Sequence, residues 1–266
     1  MRQISPSEKN MGKISQARVP EGAIAAWWLG QAGFAFKTPA GTVLFADAYL
    51  SDSIGERYER ARRTVPVPIE PEDVRCNIFL CTHDHGDHLD PETISRLKYR
   101  AEMTFVGPRN CVRHFRELGV PKRQMVLLEA GDEVRLGDVT LHATFCVPNE
   151  ETVLDSIGFL LSTPDGPTIY HTGDTGYTRF LGYLAKYEID VMLTCINGRF
   201  GNLNIREASR LAQLLRPALV VPHHFELFRF NQADPQKFCA RLAADGVRAR
   251  CHIPRHMRMF LCRRRK

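Results

Sequence analysis

Three imidazoles and two carboxylates lie within six consecutive residues of this chain, in the run His83-Asp84-His85-Gly86-Asp87-His88. Neutral imidazole nitrogens and carboxylate oxygens are the standard protein ligands of zinc and similar divalent ions. In an extended segment, His83 and His85 point to the same side. Gly86 then allows a sharp bend, so that Asp87 and His88 can face the same pocket. The run therefore predicts a divalent-metal site, because without an ion these titratable groups would be crowded for no gain.

One loop does not complete a coordination shell, so further ligands must come from other strand ends. Asp47 comes directly after a predicted strand, Asp174 follows a glycine just past another, and His223 and His224 follow a third. Open α/β sheets build their sites where several strand ends meet at one edge. We therefore expect these side chains to converge on the histidine-rich loop.

The elements around this loop can be predicted from periodicity and turn residues. An apolar strand at 77–81 precedes the loop, and a helix follows it, with Asp90 at the N-cap and Pro91 at the first helical position. Upstream, short apolar segments separated by glycines predict an antiparallel meander that begins near Ile24. Downstream, strand-like and helix-like segments alternate, which predicts an α/β fold with two sheets faced by helices.

No linker or repeat divides the 266 residues, so we expect a single domain over 1–266. Residues 1–22 are polar and are interpreted as a lead-in before the first strand. The chain ends in Arg263-Arg264-Arg265-Lys266, which is interpreted as a solvated, frayed basic tail. The absence of a signal-peptide pattern and of a membrane-length apolar run predicts a cytoplasmic protein without a membrane partner.

The cysteines agree with that location. Eight are spread along the chain without a Cys-x-x-Cys pair, and several lie in apolar runs. Free buried thiols in a reducing compartment are therefore the expected state.

Basic residues exceed acidic ones by 36 to 30, a net charge of +6. Part of the excess is a cluster in a segment rich in proline, formed by Arg57, Arg60, Arg62 and Arg63. Two interpretations stay open, a loop that attracts an anionic substrate and an exposed helix face. The chain has no aromatic-plus-basic stripe and no appended nucleic-acid module, so a nucleic-acid partner is not expected.

Taken together, these motifs resemble the metallo-β-lactamase superfamily, whose signature has the form His-x-His-x-Asp-His. The sequence is especially similar to the UlaG-like branch, which contains ascorbate-6-phosphate lactonase. The matching stretches are 27–30, 82–90, 106–108, 119–122, 170–174, 219–224 and 232–236. The resemblance implies a four-layer αββα sandwich of two mixed sheets faced by helices.

The resemblance also implies two metal positions. His83 and His85 would bind at the first position. Asp87 and His88 would bind at the second, and Asp174 would bridge the two or serve either one.

Supporting residues follow from the same resemblance. His224 would complete the second position, because the family histidine lies two residues after the proline, and His223 would lie beside the site. Asp47 would orient the metal loop through hydrogen bonds. Asn197 and Arg199, in a turn that recurs in this branch, could place an amide or a cation on the substrate or form a plain turn.

One departure concerns the first metal position, to which the superfamily usually supplies another histidine from the middle of the chain. No histidine falls at the expected place here. Asn149 is the best positional substitute, followed by Cys146, and His142 lies earlier, on a strand. The site could therefore hold one ion or two. The oxygen-rich pair of Asp87 and Asp174 is consistent with Mn²⁺, and Zn²⁺ is the alternative.

The implied reaction is hydrolysis by a metal-bound hydroxide, because a divalent ion lowers the pKa of its water. His85, Asp87 and Asp174 would carry catalysis, with Asp87 orienting the water and accepting its proton. The leading substrate is a small anionic lactone such as a phosphorylated sugar lactone, and the resemblance suggests a homo-oligomer. Two alternatives stay open, a phosphodiesterase or ribonuclease of the same fold and a non-catalytic metal-binding or regulatory protein with a degenerate site.

Overall fold

The computed structural model of this protein describes residues 4–148 and 154–265. The strands in these ranges form two sheets of seven. In chain order they are β1 (Ala23–Gly30), β2 (Gly33–Lys37), β3 (Val43–Ala46), β4 (Ile78–Leu80), β5 (Thr104–Gly107), β6 (Met125–Leu127), β7 (Glu133–Leu136), β8 (Val139–Phe145), β9 (Ile157–Ser162), β10 (Ile169–His171), β11 (Val191–Cys195), β12 (Leu219–His223), β13 (Arg250–Cys251) and β14 (Phe260–Arg263).

The α-helices in the same ranges lie between these strands and at the N-terminus. They are α1 (Pro6–Ser15), α2 (Ser53–Arg57), α3 (Pro91–Arg96), α4 (Arg109–Glu117), α5 (Ile205–Leu215) and α6 (Pro235–Ala244). The 3₁₀ segments in these ranges are Glu59–Ala61, Pro71–Asp73, Arg100–Glu102, Lys122–Gln124 and Arg179–Tyr187. No helix within the described ranges is long and apolar enough to cross a membrane.

Both sheets are mixed, with antiparallel strands on one side and parallel strands on the other. The first has the order β14-β1-β2-β3-β4-β5-β6 and is antiparallel from β14 to β3 and parallel from β3 to β6. The second has the order β13-β12-β11-β10-β9-β8-β7 and is parallel from β13 to β10 and antiparallel beyond. The predicted meander of β1 to β3 and the two mixed sheets are confirmed.

Strand β1 shows how the layers are held together, since all of its residues are buried and successive side chains enter different apolar cores. Ile24 and Trp28 pack in the core that joins the two sheets. Trp27 lies on the opposite face, in the core that includes residues of α1, α3 and α4. Leu211 of α5 and Phe238 of α6 pack against the second sheet. Helices therefore cover the outer faces of a central pair of sheets.

The parallel parts of the two sheets supply the site. Asp47 follows β3, and the histidine-rich loop follows β4, the neighbouring strand. In the second sheet, Asp174 follows β10 and His224 follows β12, with β11 paired in parallel between them. Because the carboxyl ends of parallel strands lie at the same edge of a sheet, strands distant in sequence deliver these groups to one place.

The polar lead-in before the first strand contains a helix, which the sequence analysis did not predict. Ser5 caps α1 in a capping box with Glu8, and the Met11 and Ile14 side chains are buried. The Lys37 ammonium also donates to the carbonyl of the last helical residue at 2.5 Å. The helix buries only two apolar side chains, too few to give a clear periodic signal, and it is held by contacts with the first sheet.

The C-terminal tail is solvated at its side chains, as expected, but its backbone is not frayed. Arg263 pairs with Ala23 of β1, and the Arg265 amide donates to the Asp190 carboxylate at 2.9 Å. Lys266 lies outside the described residues. The tail therefore ends as an extension of an edge strand.

The cysteines require a second correction. Cys239 of α6 and Cys251 of β13 form a disulfide, while the other six cysteines are free and buried, as predicted. The two residues lie in different elements, and neither occurs in a spacing motif. Their proximity depends on how α6 packs beside the edge of the second sheet.

Replacing both members of this pair by serine is expected to lower the free energy of unfolding by about 3 kcal/mol, because the bond restricts the unfolded chain. Denaturant unfolding of the oxidised protein and of the double variant measures the difference. Reductant should bring the unmodified chain to the stability of the variant and leave the variant unchanged. Equal stability of the two oxidised proteins would contradict the expectation.

Candidate metal centre

The predicted metal loop begins just after β4 and ends at the first turn of α3. It folds back on itself, because the His88 and Leu89 amides both donate to the His85 carbonyl, at 2.9 and 2.7 Å. Asp90 then caps α3 by accepting from two backbone amides of the first turn, which confirms the predicted N-cap. The loop is thus anchored at both ends by regular structure.

Two overlapping groups of metal-ligand type lie at this loop. They are His83, His88 and Asp174, and Asp87, His88 and His224. Within each group the potential ligand atoms lie within 4.8 Å of one another. Asp174 also connects the groups, since its carboxylate lies 3.5 Å from His88 Nε2 and 3.3 Å from His224 Nε2. The structure therefore brings together five of the six predicted metal ligands.

His85 is the sixth predicted ligand, and its surroundings differ. Its Nδ1 lies 3.0 Å from His83 Nε2, but in the part of the chain that the structure describes it belongs to neither group. The turn at this point brings the His83 ring against the His88 ring, with centroids 4.0 Å apart. A shared role of His83 and His85 at one ion stays a prediction.

Unpaired polar atoms show that the site suits a cation. Among the described residues, neither His88 Nε2 nor Asp174 Oδ1 has a hydrogen-bond partner, although both are buried and lie 3.5 Å apart. Buried polar atoms normally find a partner, because leaving one unpaired is costly. An imidazole lone pair and a carboxylate oxygen are both ligands of divalent ions. The donor set therefore fits a divalent metal.

Asp47 holds the metal loop from behind. Its carboxylate accepts from the Thr82 amide and hydroxyl, each at 2.7 Å, and lies 2.8 Å from His88 Nδ1. Pairing of Nδ1 with a carboxylate turns Nε2 of the same ring toward the metal-binding groups. These are the contacts expected of a residue that orients the loop.

The side chains of the two groups compensate one another's charge. Burial disfavours the ionised form of Asp174, but His224 and His88 outweigh it and hold the pKa of this carboxyl well below its usual range. Burial likewise opposes protonation of His224, yet Asp174 and Asp87 raise its pKa to about 9. The pKa of His88 is also raised, since nearby carboxylates outweigh burial. Burial, with His88 adding to it, lowers the pKa of His83 to about 3.

Metal uptake is therefore expected to tighten as the pH rises from about 6 to about 8. With a pKa of about 9, His224 carries a proton in this range, and an ion must displace that proton from the ring. Each displaced proton should make the apparent affinity rise about tenfold per pH unit. Chelator competition at several pH values measures the slope, and calorimetry in buffers of different ionisation heat counts the protons. An affinity independent of pH would contradict the expectation.

Three amides of the site were missed by the sequence analysis. Gln31 donates to Asp87 at 2.7 Å, Asn202 donates to Asp174 at 2.7 Å, and Asn231 lies 3.2 Å from His224 Nδ1. Each is an isolated amide in a loop, with no spacing that marks it. The sequence contains one weak signal for Gln31, its position after Gly30 in a predicted turn. In the structure Gln31 has a φ of 51° in that turn.

The predicted substrate-side residues lie in different places. Asn197 is buried and donates to Asn231 at 2.9 Å, whereas Arg199 lies exposed in the following turn. His223 is buried and stacks on His171, with ring centroids 4.6 Å apart. It points away from the neighbouring His224, as successive side chains at a strand end do.

The candidates for the missing first-position ligand are not among the two groups. Asn149 lies outside the described residues. The Cys146 thiol donates to the Thr172 carbonyl at 3.3 Å, and His142 Nε2 lies 2.8 Å from the Tyr187 hydroxyl. Neither residue belongs to a group with metal-ligand spacing in the described ranges.

The sequence of this chain matches a known protein family and a curated relative. Residues 42–225 match the family described as the beta-lactamase superfamily domain, a range that includes every residue of the two groups. A curated relative, the probable L-ascorbate-6-phosphate lactonase UlaG of Escherichia fergusonii, is 27% identical, covering 85% of this chain and 76% of that protein.

Solved structures share the fold. Igni18, a metallo hydrolase from Ignicoccus hospitalis, is 20% identical with a TM-score of 0.73, covering 90% of this chain and 98% of that chain. An isothiocyanate hydrolase from Delia radicum gut bacteria is 18% identical with a TM-score of 0.73, covering 89% and 98%. At these identities the similarity shows a common architecture.

Proposed function

This chain belongs to the metallo-β-lactamase superfamily, and from that premise we propose that it is a metal-dependent hydrolase that opens a small anionic lactone. The observation that carries the proposal is the pair of overlapping groups that share His88 and are linked by Asp174. The lactonase name of a relative 27% identical to this chain supports the substrate class. A phosphorylated sugar lactone is the leading candidate.

The residues that would hold one or two ions are His83, Asp87, His88, Asp174 and His224, with His85 beside them. Zn²⁺ and Mn²⁺ both suit this mixture of imidazoles and carboxylates. A divalent ion in such a site supplies a water nucleophile at neutral pH and polarises the carbonyl under attack.

The chain's own groups prepare the site for a water molecule and an ester. Asp87 has a lowered pKa, because His88 and His224 outweigh the opposing effect of burial, so its carboxylate is ionised and can accept a hydrogen bond from water. Gln31 holds that carboxylate through a 2.7 Å hydrogen bond, and Asn202 holds Asp174 in the same way. Both carboxylates are therefore fixed before a substrate arrives.

An anionic substrate is supported by part of the arginine cluster. Arg63 donates to the carbonyls of Tyr49 and Ser51, and Arg62 pairs with Asp52, so these two arginines organise the loop. Arg57 and Arg60 are exposed, and their guanidinium groups lie over the rings of Tyr58 and Phe230, 5.3 and 5.9 Å from the ring centroids.

The arginine segment also packs on the metal loop. The Ile54 side chain lies about 3.3 Å from the position that a Cβ on Gly86 would take. Arg57 lines a cavity together with Asp84 and Gly86 of that loop. A cation at this position favours negatively charged ligands.

Purified protein tests the proposal in two steps. Metal content is measured first, and we expect bound Zn²⁺ or Mn²⁺. Hydrolysis of a panel of sugar lactones, with and without phosphate, is then compared with that of a generic phosphodiester. Preference for a phosphorylated lactone supports the proposal, and preference for the phosphodiester overturns the substrate class. If the protein takes up neither ion and gains no activity from either, the result favours the alternative of a non-catalytic protein with a degenerate site.

A further inference from the structure

Two buried amide side chains form a series of contacts that begins at the His224 ring. Asn231 and Asn197 are 2% and 7% exposed, respectively. The Asn231 amide lies 3.2 Å from His224 Nδ1, and the Asn197 amide lies 2.9 Å from that of Asn231. These contacts form a chain that starts at a metal-ligand candidate and ends at the turn after β11.

The two nitrogens of His224 face different surroundings. Nε2 lies 3.3 Å from Asp174, 3.5 Å from Asp87 and 3.1 Å from the Gln31 amide nitrogen that also holds Asp87, so this nitrogen points to the metal-binding groups. A neutral imidazole binds a metal through an unprotonated nitrogen, and its remaining proton is then on the other nitrogen. With Nε2 used as a ligand, Nδ1 must carry a proton and needs a buried acceptor. The group in reach is the Asn231 amide.

We propose that Asn231 positions the metal-facing ring of His224 by accepting a hydrogen bond from its Nδ1, and that Asn197 holds Asn231 in this orientation. The inference rests on the metal site proposed above. The structure places the Asn231 amide nitrogen toward Nδ1 and the Asn197 amide nitrogen toward the Asn231 oxygen. A protonated Nδ1 needs an acceptor, so both amides take the opposite orientation, with the Asn231 oxygen facing Nδ1 and the Asn231 nitrogen donating to Asn197.

A carboxamide permits this orientation, because it is planar with ends of nearly equal size, so that turning it over exchanges oxygen and nitrogen while the neighbours stay in place. Asn197 ends the chain in either orientation, since the position of its Oδ1 has no hydrogen-bond partner among the described residues.

A comparison within the same site favours a positioning role. Nδ1 of His88 lies 2.8 Å from the Asp47 carboxylate, which orients that ring. Nδ1 of His224 lies 3.2 Å from the Asn231 amide, which takes the corresponding position. The two imidazoles of the Asp87 group are thus held from behind by one carboxylate and one amide. An amide can accept the proton without adding another negative charge beside Asp87 and Asp174.

Metal affinity of matched variants tests the proposal. Asn231→Ala removes the acceptor and is expected to weaken Zn²⁺ binding about 10- to 100-fold, whereas Asn231→Asp keeps an acceptor of the same shape and stays within about threefold. Gln232→Ala, an exposed neighbour on the same loop, serves as the control. Adding Asn197→Ala to Asn231→Ala should cause no further loss, because Asn197 acts through Asn231.

A second readout does not depend on any variant. Two-bond ¹H–¹⁵N correlation spectra of the zinc-loaded protein report which nitrogen of His224 is protonated, and we expect Nδ1. Wild-type affinity of Asn231→Ala would overturn the inference while leaving the metal site intact. A proton on Nε2 would overturn the inference and would also exclude His224 Nε2 as a metal ligand. Equal losses in Asn231→Asp and Asn231→Ala would also overturn it. A wild-type chain that binds neither ion would overturn the metal site and this inference together.

Discussion

Asp87→Ala is expected to lower metal-dependent kcat/KM by about 10³-fold, equivalent to about 4 kcal/mol of transition-state stabilisation. Asp87 belongs to one of the two metal-binding groups, and its carboxylate lies 3.5 Å from His224 Nε2. The substitution removes a ligand and, in the same step, the ionised group that would orient the water. Both losses act on the reacting centre, so kcat should fall more than KM changes.

The neighbouring Asp84 provides a matched control. It lies in the same loop, but its carboxylate faces α4, 3.5 Å from His114 Nε2 and 4.0 Å from Arg113. Asp84→Ala should therefore change kcat/KM by no more than about threefold, because in the described ranges Asp84 belongs to neither metal-binding group and its ion pairs are with α4. Steady-state kinetics at saturating metal, with circular dichroism as a check on folding, separates the two variants. If Asp87→Ala kept as much activity as Asp84→Ala, Asp87 would not be part of the chemistry.

Asp47→Asn is expected to weaken metal binding about 10- to 100-fold through the lost orientation of His88. It should also lower the free energy of unfolding by about 3–5 kcal/mol, because it breaks a buried charge pair. The carboxylate accepts two hydrogen bonds from Thr82 and lies 2.8 Å from His88 Nδ1, and an amide offers one oxygen for these donors. Asparagine tolerates the left-handed backbone of this position, φ 47°, so the loss reports on the carboxylate.

The stability loss should depend on pH in a defined direction. Burial favours the neutral form of Asp47, but His88 outweighs it, so folding lowers the pKa of this carboxyl from its ordinary value of 3.8. The stability linked to this shift is present above that pH and is lost as the pH falls through the folded-state pKa. The difference between wild type and Asp47→Asn should therefore narrow in acid. Denaturant unfolding of the metal-free proteins at several pH values measures it.

Asp190→Asn serves as a control, because it tests whether loss of any buried carboxylate weakens metal binding or only loss of Asp47. Asp190 is also a buried carboxylate, and it accepts from the Thr168 and Arg265 amides, each at 2.9 Å. It precedes β11, at the opposite end of that strand from the metal site. Its replacement should lower stability but leave metal affinity unchanged. If Asp190→Asn weakened metal binding as much as Asp47→Asn, the proposed role of Asp47 would be lost.

Short-range features of this protein could be predicted from the sequence because they depend on neighbouring residues. Asp90 and Pro91 mark the start of α3 through the backbone groups of one turn, and the structure places the cap there. The meander of β1 to β3 follows from apolar runs separated by glycines, and it is present. The types of metal ligand in the loop after β4 can likewise be predicted from six consecutive residues, 83–88.

Which atoms meet was decided by pairing between distant strands. Alternation along an extended segment predicted that His83 and His85 share a side, and their ring nitrogens lie 3.0 Å apart. It did not predict that the folded loop groups His83 with His88 and Asp174. That grouping requires β4 of one sheet and β10 of the other to end at the same edge. No local pattern contains this information, because the two strands are about 90 residues apart along the chain.

Ligand types, the helix cap and the strand pattern are properties of short segments, so the chemistry available to this protein could be inferred from those segments. Tertiary structure decided which side chains support that chemistry. Gln31, Asn202 and Asn231 reach the site from three separate loops, and Cys239 reaches Cys251 through the packing of a helix. An amide or a thiol carries no spacing signal of its own. Its role appears when folding brings it within hydrogen-bonding or bonding distance of a partner far away in sequence.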